Sequence, residues 1–154
     1  MHIVHHYKGT DSHLGAMIAI FFDTKLGTNH NPAFLDSIFE VIDMEGDNPA
    51  GMIHIEEFLK TINFSEYWSY EGSLTTPPCE EGIKWTVISH VQYISPEHLD
   101  RITSQLAGDP TYADGKGNNR DLQHLNGREV FFTLAARSLV NVMTCGAFLA
   151  LLFY

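Results

Sequence analysis

Histidine, threonine and tyrosine side chains in two segments of the sequence are suited to metal binding and proton chemistry. The first segment, residues 2–5, has a histidine at each end, and neutral imidazole is a common zinc ligand. The second segment, residues 67–85, holds two threonines, two prolines and several aromatic residues. The nine histidines of the chain suggest a metal site by their number. A histidine pair three residues apart is a weak signal by itself, so the second segment decides the interpretation.

The second segment contains the run Gly-Ser-Leu-Thr-Thr-Pro-Pro at residues 72–78. Tyr67, Trp68 and Tyr70 precede this run, and Trp85 follows it. Together with His2, these residues resemble the α-class carbonic anhydrases, and the resemblance covers residues 1–132. It implies a mainly β fold with short helices (α+β), in which helices and long loops flank a large, twisted, mostly antiparallel sheet. It also implies a zinc enzyme that reversibly hydrates carbon dioxide to bicarbonate and a proton.

The resemblance assigns roles to individual residues. His2 matches one of three zinc-binding histidines. Thr75 matches the threonine that accepts a hydrogen bond from zinc-bound hydroxide, and Thr76 matches a residue of the bicarbonate site. Tyr70 matches a tyrosine in the surrounding hydrogen-bonding shell, to which we also assign His5. The residues that match the apolar walls of the carbon dioxide pocket are Val4, Met17, Leu74, Ile83 and Trp85.

The zinc site implied by the resemblance is incomplete in this sequence. A catalytic zinc takes three protein ligands, and the family supplies two of them as a His-x-His pair on an earlier strand. No such pair precedes His2. We therefore expect the C-terminal part of a larger domain, with Met1 an internal methionine, and no activity from these residues alone. Two alternatives are a non-catalytic binding or surface protein of the same family, and the product of a truncated gene with unpaired sheet edges.

Apolar patterning predicts the strands that position these residues. In residues 2–5, His2 and Val4 share one face and Ile3 shares the other with His5. Residues 15–22 are continuously apolar, which is typical of a strand buried on both faces. Apolar residues alternate with others over residues 83–87, which indicates a half-buried strand. Further strands are expected over residues 52–55 and 128–132.

Capping residues predict two helices. Asn31 and Pro32 begin one helix that ends before Gly46, and Ser95 and Pro96 begin another that runs to about Leu106. The two prolines at residues 77 and 78 argue against a helix or a central strand in residues 61–81. Residues 108–127 are rich in glycine, aspartate and asparagine, which predicts a loop.

Residues 133–154 form an apolar tail, and residues 139–154 contain no charged side chain. As a helix, residues 139–154 would rise about 24 Å, which is short of a hydrocarbon core of about 30 Å. Three readings stay open: a membrane span, a removable lipid-anchor signal, and a buried terminal helix or mis-assigned gene end. Cys79 resembles a cysteine that secreted members pair with one near their N-terminus, for which this chain has no partner. These features predict a secretory or extracellular location with membrane attachment.

Composition narrows the class of protein further. Apolar residues make up 44% of the 154 positions, enough apolar mass to offset chain entropy and exclude overall disorder. Nineteen acidic residues against nine lysines and arginines give a net charge of −10. Nucleic-acid binding requires cationic side chains that displace counterions, so the charge balance argues against a nucleic-acid partner. The resemblance implies a small-molecule substrate, carbon dioxide or bicarbonate.

Overall fold

A six-stranded sheet organises the chain in the computed structural model, which describes residues 1–6, 15–27, 32–43, 53–106, 121–134 and 150–152. The strands of this sheet lie in the order β7-β4-β5-β2-β1-β8, and a second sheet pairs β3 with β6. In chain order the elements are β1 (His2–His6), β2 (Gly15–Ala19), β3 (Phe22–Asp23), α1 (Pro32–Asp43), α2 (Ile55–Thr61), β4 (Glu66–Ser73), β5 (Glu81–Ile88), β6 (Gln92–Tyr93), α3 (Pro96–Leu106), β7 (Phe131–Leu134) and β8 (Ala150–Leu152).

Most neighbouring strands of the large sheet are antiparallel. The pairs β1–β2, β1–β8, β4–β5 and β4–β7 are antiparallel, whereas β2 and β5 run parallel. The prediction of a mostly antiparallel sheet with short helices is therefore confirmed. The parallel pair has a structural consequence, because parallel neighbours require a long crossover connection. Residues between β2 and β5 form that crossover and include α1 and α2.

The two faces of the large sheet bury different apolar clusters. Ile3 belongs to one cluster and Val4 to the other, as expected when successive side chains of a strand point to opposite faces. The larger cluster lies between the sheet and the helices. Its fully buried members, apart from Ile3, are Ile20, Phe34, Leu35, Ile38, Phe39, Phe58, Ile62, Ile88 and Ile94. The smaller cluster contains Val4 and forms the site face described below.

One helix start shows the expected capping chemistry, and the predicted cap of the other, Asn31, lies outside the described residues. The predicted helices at residues 32 and 96 are both present, as α1 and α3. The Ser95 hydroxyl accepts a hydrogen bond of 3.1 Å from the backbone N–H of His98, which satisfies one of the free donors at the start of α3. The helices α1 and α3 also contact each other, since His98 Nε2 lies 2.9 Å from Asp36 Oδ1. Arg101 lies over the ring of Phe39, 4.3 Å from its centre.

Three local predictions are wrong. Residues 53 and 54 are not in a strand, and α2 begins at Ile55. Residues 66–73 form the central strand β4, because this segment ends before the two prolines and finds antiparallel partners on both sides. The last predicted strand begins at Phe131 instead of Arg128. Residues 125–128 form a turn, in which the Arg128 N–H donates to the Leu125 carbonyl at 2.9 Å.

The apolar tail, residues 133–154, contains a strand at residues that two of its interpretations place in a helix. Ala150–Leu152 form β8, which pairs with β1 at the edge of the sheet, so a helical tail is wrong for these three residues. Residues 135–149 and 153–154 lie outside the described residues, as do residues 108–120 of the predicted loop. Among the helices of the described ranges, none is both long and apolar enough to cross a bilayer.

Phe58 should dominate the stability of the helix-side core. Its ring lies parallel to that of Phe34 with 4.1 Å between centres, and only 1% of Phe58 is exposed. We expect Phe58→Ala to lower the free energy of unfolding by about 3–5 kcal/mol, because it removes buried area and leaves a cavity. The matched control is Phe64→Ala, at a ring that is 42% exposed. Urea denaturation compares the two, and equal losses would contradict this assignment of the core.

Candidate functional site

One row of side chains crosses four strands on the site face of the sheet. Val4 in β1 lies opposite Met17 in β2, Met17 opposite Trp85 in β5, and Trp85 opposite Tyr70 in β4. Directly opposite residues share a face, so the row forms a continuous apolar floor. The cluster contains every residue predicted to form pocket walls: Val4, Met17, Leu74, Ile83 and Trp85.

His2 lies beside this floor. Its ring meets the Trp85 ring edge-on, with 4.8 Å between centres and 77° between planes. Burial lowers the pKa of His2 to about 4, and the positive charge of the Met1 amino group adds to this effect. The imidazole is therefore neutral at pH 7, which is the form that binds a metal ion. The expected strand faces are confirmed for Ile3 and Val4, and the alternation places His5 away from His2.

Trp85 is held from several sides. Its indole N–H donates a hydrogen bond of 3.0 Å to the Ser73 carbonyl, which satisfies a donor that is costly to bury alone. The Tyr70 ring lies parallel to the indole with 6.2 Å between centres. A Cβ atom at Gly72 would lie 2.8 Å from the Tyr70 ring and 3.2 Å from the indole. Glycine at residue 72 is therefore required for both rings to lie against the strand.

The two threonines follow β4 in a tight turn. The Leu74 N–H donates to the Glu80 carbonyl at 2.9 Å, and the Cys79 N–H donates to the Thr76 carbonyl at 2.8 Å. The turn contains the cis peptide bond between Pro77 and Pro78. Thr75 and Thr76 are half-buried within it.

A cleft of about 440 Å³ joins Thr75 to the site face. Several of its lining residues, among them Phe21, Trp68 and Arg128, were not predicted as site residues. Burial raises the pKa of the Tyr70 hydroxyl, which also borders the cleft, and the Arg128 charge partly opposes this effect. The remaining lining residues are Ser73, Trp85, Val87, Asp121, Leu122, Gln123, Leu125 and Val130. The cleft is therefore mainly apolar, with three hydroxyl groups, a carboxylate, an amide and a guanidinium group among its lining residues.

Within the part of the chain that the structure describes, the donor atoms near His2 do not form a metal site. In the sheet, His2 lies between Ala19 and Leu152, and neither residue has a side-chain ligand atom. Within the described residues, no group of three histidine, cysteine, aspartate or glutamate side chains is placed to hold a metal ion. Since zinc sites in proteins use three or four protein ligands, the described residues do not fit a resident zinc ion.

Residues 1–134 match the family model described as eukaryotic-type carbonic anhydrase. This chain belongs to that family. Alpha carbonic anhydrase 3 of Arabidopsis thaliana is 33% identical over 132 residues, which cover 85% of this chain and 44% of the relative. The chain spans about half the length of the curated relatives it matches.

Solved carbonic anhydrase structures support the same fold. A hyperthermostable carbonic anhydrase from a hydrothermal vent chimney aligns with a TM-score of 0.59 and 28% identity, covering 78% of this chain and 49% of its own. Dioscorin, solved in complex with ascorbate, aligns with a TM-score of 0.60 and 28% identity, covering 80% and 49%. The carbonic anhydrase fold is therefore shown for the described half-domain.

The low pKa of His2 predicts a loss of stability in acid. The folded state holds His2 neutral down to about pH 4, whereas the unfolded chain takes up a proton near the ordinary value of 6.5. Between these values the unfolded state binds more protons, so the free energy of unfolding falls as the pH falls. We expect His2→Gln to flatten this dependence in urea denaturations from pH 7.5 to 4.5. His124→Gln, at an exposed histidine, is the control, and equal slopes in both variants would contradict the prediction.

Proposed function

We propose that this chain forms the pocket half of a carbonic anhydrase site, which reversibly hydrates carbon dioxide with one water molecule to bicarbonate and a proton. The observation that carries the proposal is the apolar floor of Val4, Met17 and Trp85, which leads to the hydroxyl of Thr75 in the adjoining cleft. An apolar surface suits a small nonpolar gas and disfavours competing water. A hydroxyl at its end can accept one hydrogen bond and fix the direction of a reacting oxygen.

We assign the following roles to the predicted site residues. His2 is the zinc ligand contributed by this chain, and Thr75 orients the reacting oxygen. Thr76 borders the bicarbonate position, where backbone donors help to hold a monoanion. Tyr70 supports the surroundings of the site, whereas His5 lies on the other face of β1 and is proposed to act only through that strand. Leu74 and Ile83 complete the apolar walls with the floor residues.

Zinc is the cofactor of the proposed complete site. In a complete site, a bound zinc ion would supply hydroxide at neutral pH by lowering the pKa of water, an effect for which carbonic anhydrase is the standard example. At this site the described residues provide one imidazole, that of His2, whereas a catalytic zinc ion needs three protein ligands. We therefore propose that the chain is inactive until further ligands join His2. Secretory location, membrane attachment by residues 133–154 and pairing of Cys79 with a distant cysteine stay predictions.

The inactive state can be tested directly on the purified chain. After dialysis against zinc, we expect less than one zinc ion per chain and carbon dioxide hydration no faster than the buffer blank. His2→Ala should remove the residual zinc binding, whereas His124→Ala should leave it unchanged. Atomic absorption and stopped-flow pH-indicator assays provide the two measurements. One tightly held zinc ion with rapid hydration would overturn the proposal of inactivity.

The pocket itself can be tested in a chimera. Residues 1–134 replace the matching half of the Arabidopsis relative, so that the remaining half of that protein completes the site. We expect the chimera to hydrate carbon dioxide and Thr75→Ala to lower kcat/KM about 100-fold, which is typical for loss of one positioned hydrogen-bond partner. Thr103→Ala, in the exposed part of α3, is the matched control. A folded, zinc-loaded chimera without activity would count against the proposed pocket.

A second candidate function is small-molecule binding without catalysis. The likeness to dioscorin, whose structure holds ascorbate, favours it, as does the absence of a three-residue ligand group among the described residues. Titration of the zinc-free chain with ascorbate and with bicarbonate distinguishes the two functions. Saturable binding of ascorbate in the cleft that Trp85→Ala abolishes would favour the binding protein.

A further inference from the structure

A groove lies on the helix-side face of the sheet, opposite the face that carries the candidate site. Its volume is about 660 Å³, which is within the range of small-molecule pockets. Tyr67 of β4 packs against the helix-side core, and Ser69 and Glu71 share its face because residues two apart on a strand point to the same side. All three residues line the groove. The groove and the cleft at Thr75 have three lining residues in common: Tyr70, Trp85 and Arg128.

Cross-strand pairs form the floor of this groove. Thr86 of β5 lies directly opposite Ser69, and Lys84 lies directly opposite Glu71. On the other side of β4, Phe131 of β7 lies opposite Ser69. Directly opposite side chains have Cβ atoms about 5 Å apart. The floor therefore brings hydroxyl, ammonium and carboxylate groups close to one aromatic ring across three strands.

A short turn fixes Arg128 beside this floor. Its Nε and Nη2 atoms donate hydrogen bonds of 2.8 and 2.7 Å to the carbonyls of Leu125 and His124. Within the turn, Asn126 and Gly127 have φ values of 49° and 80°, the left-handed region that glycine and asparagine tolerate best. Because two hydrogen bonds already hold the guanidinium, little side-chain freedom is lost when its remaining N–H groups bind a ligand.

The charges along the groove balance one another. Lys84 and Arg128 are cationic, and Glu71 and Glu129 are anionic. Within the described residues, neither cation forms an ion pair with a carboxylate. A charged ligand would be attracted by one of these pairs of groups and repelled by the other. A neutral ligand rich in hydroxyl groups gains from both pairs, since each hydroxyl can donate to a carboxylate and accept from a cation.

Phe131 adds an apolar surface to these polar groups. Its ring is 57% exposed and lines the groove. The face of an aromatic ring is negatively polarised, so it attracts the positively polarised C–H groups of a sugar ring. A pyranose has such a C–H face and carries hydroxyl groups around its rim. The groove therefore matches a sugar ring better than it matches an anion, a cation or a purely apolar molecule.

We propose that this groove binds a neutral saccharide, with the C–H face of one sugar ring on Phe131. The hydroxyl groups of that ring accept hydrogen bonds from Lys84 and Arg128 and donate to Glu71 and Glu129. This binding function requires neither a metal ion nor the carbon dioxide pocket, and it lies on the opposite face of the sheet. Its failure would therefore leave the proposed function of the site face unaffected.

Three methyl glycosides that differ in charge test the chemical class of the ligand. At pH 6.5, methyl β-D-glucoside is neutral, the corresponding glucuronide is anionic and the corresponding glucosaminide is cationic. Each is titrated into the unmodified, isotopically labelled chain, and the amide shifts in NMR spectra give the dissociation constants. We expect millimolar affinity for the neutral glycoside. Both charged glycosides should bind about 10-fold more weakly, because each replaces a favourable hydrogen bond to a charged group with repulsion.

Two alanine variants test the location of the site. Phe131→Ala removes the exposed ring, and we expect the affinity for the neutral glycoside to fall about 5-fold. The matched control is Phe132→Ala, at the next residue of β7. That ring is 54% exposed but contacts Trp68, with 5.4 Å between ring centres, and its removal should leave the affinity unchanged. Equal losses in the two variants would overturn the placement of the sugar ring.

Charge substitutions should change the selectivity in a defined direction. Glu71→Gln leaves a net positive charge in the groove, so the glucuronide should then bind more tightly than the neutral glycoside. Lys84→Gln leaves a net negative charge and should favour the glucosaminide. Glu57→Gln, at an exposed carboxylate of α2, is the control and should keep the original order of affinities. The same order in all three variants would contradict the charge-balance argument.

The unmodified chain decides the proposal without any variant. Tightest binding of the glucuronide or the glucosaminide would overturn the neutral class of ligand. Absence of saturable shifts with all three glycosides at tens of millimolar would overturn the site. Shifts confined to the residues around Thr75 would place the binding in the cleft and would also overturn the proposal.

Discussion

The indole of Trp85 connects the parts of the site face to one another. A buried indole N–H must find an acceptor, and the acceptor is the Ser73 carbonyl at the end of β4. This bond fixes the point at which β4 leaves the sheet and the turn with Thr75 begins. The same ring contacts His2 on one side and Tyr70 on the other. The positions of the zinc-ligand candidate and the threonine turn therefore both depend on one side chain.

One face of the sheet carries most of the buried core, and the other carries the candidate site. The helix side buries a large aromatic and aliphatic core around Phe34 and Phe58, and this core can support the sheet without help from the site face. The site face buries a smaller cluster and opens into a cleft with several exposed apolar side chains. Such clustered apolar exposure is typical of binding surfaces. The chain thus presents a site face that a further layer of polypeptide or a ligand can cover.

Local patterns predicted part of this structure. The alternation of apolar with other residues was sufficient to predict β1 and β5. Each of these strands turns some of its side chains toward the helices and others toward the site face. The capping residue was sufficient to predict the start of α3, where the Ser95 hydroxyl accepts a hydrogen bond from the His98 N–H. Strand β4 was missed because its residues 66–71 are all half-buried or exposed, so no alternation marks them, and the prolines nearby dominated the interpretation. The cleft was missed in part because Phe21 and Arg128 reach it from segments distant in sequence.

The pairing of residues 2–4 with residues 150–152 joins segments that are far apart in the chain. Closing so long a loop carries a large entropic penalty for only three register pairs. Contacts of this kind form late in folding and open at a low free energy, well below that of global unfolding. The β1 edge should thus exchange its amide protons by local opening, while the helix-side core exchanges only on global unfolding. The interior strands of the sheet therefore stay paired while the β1–β8 pairing opens locally.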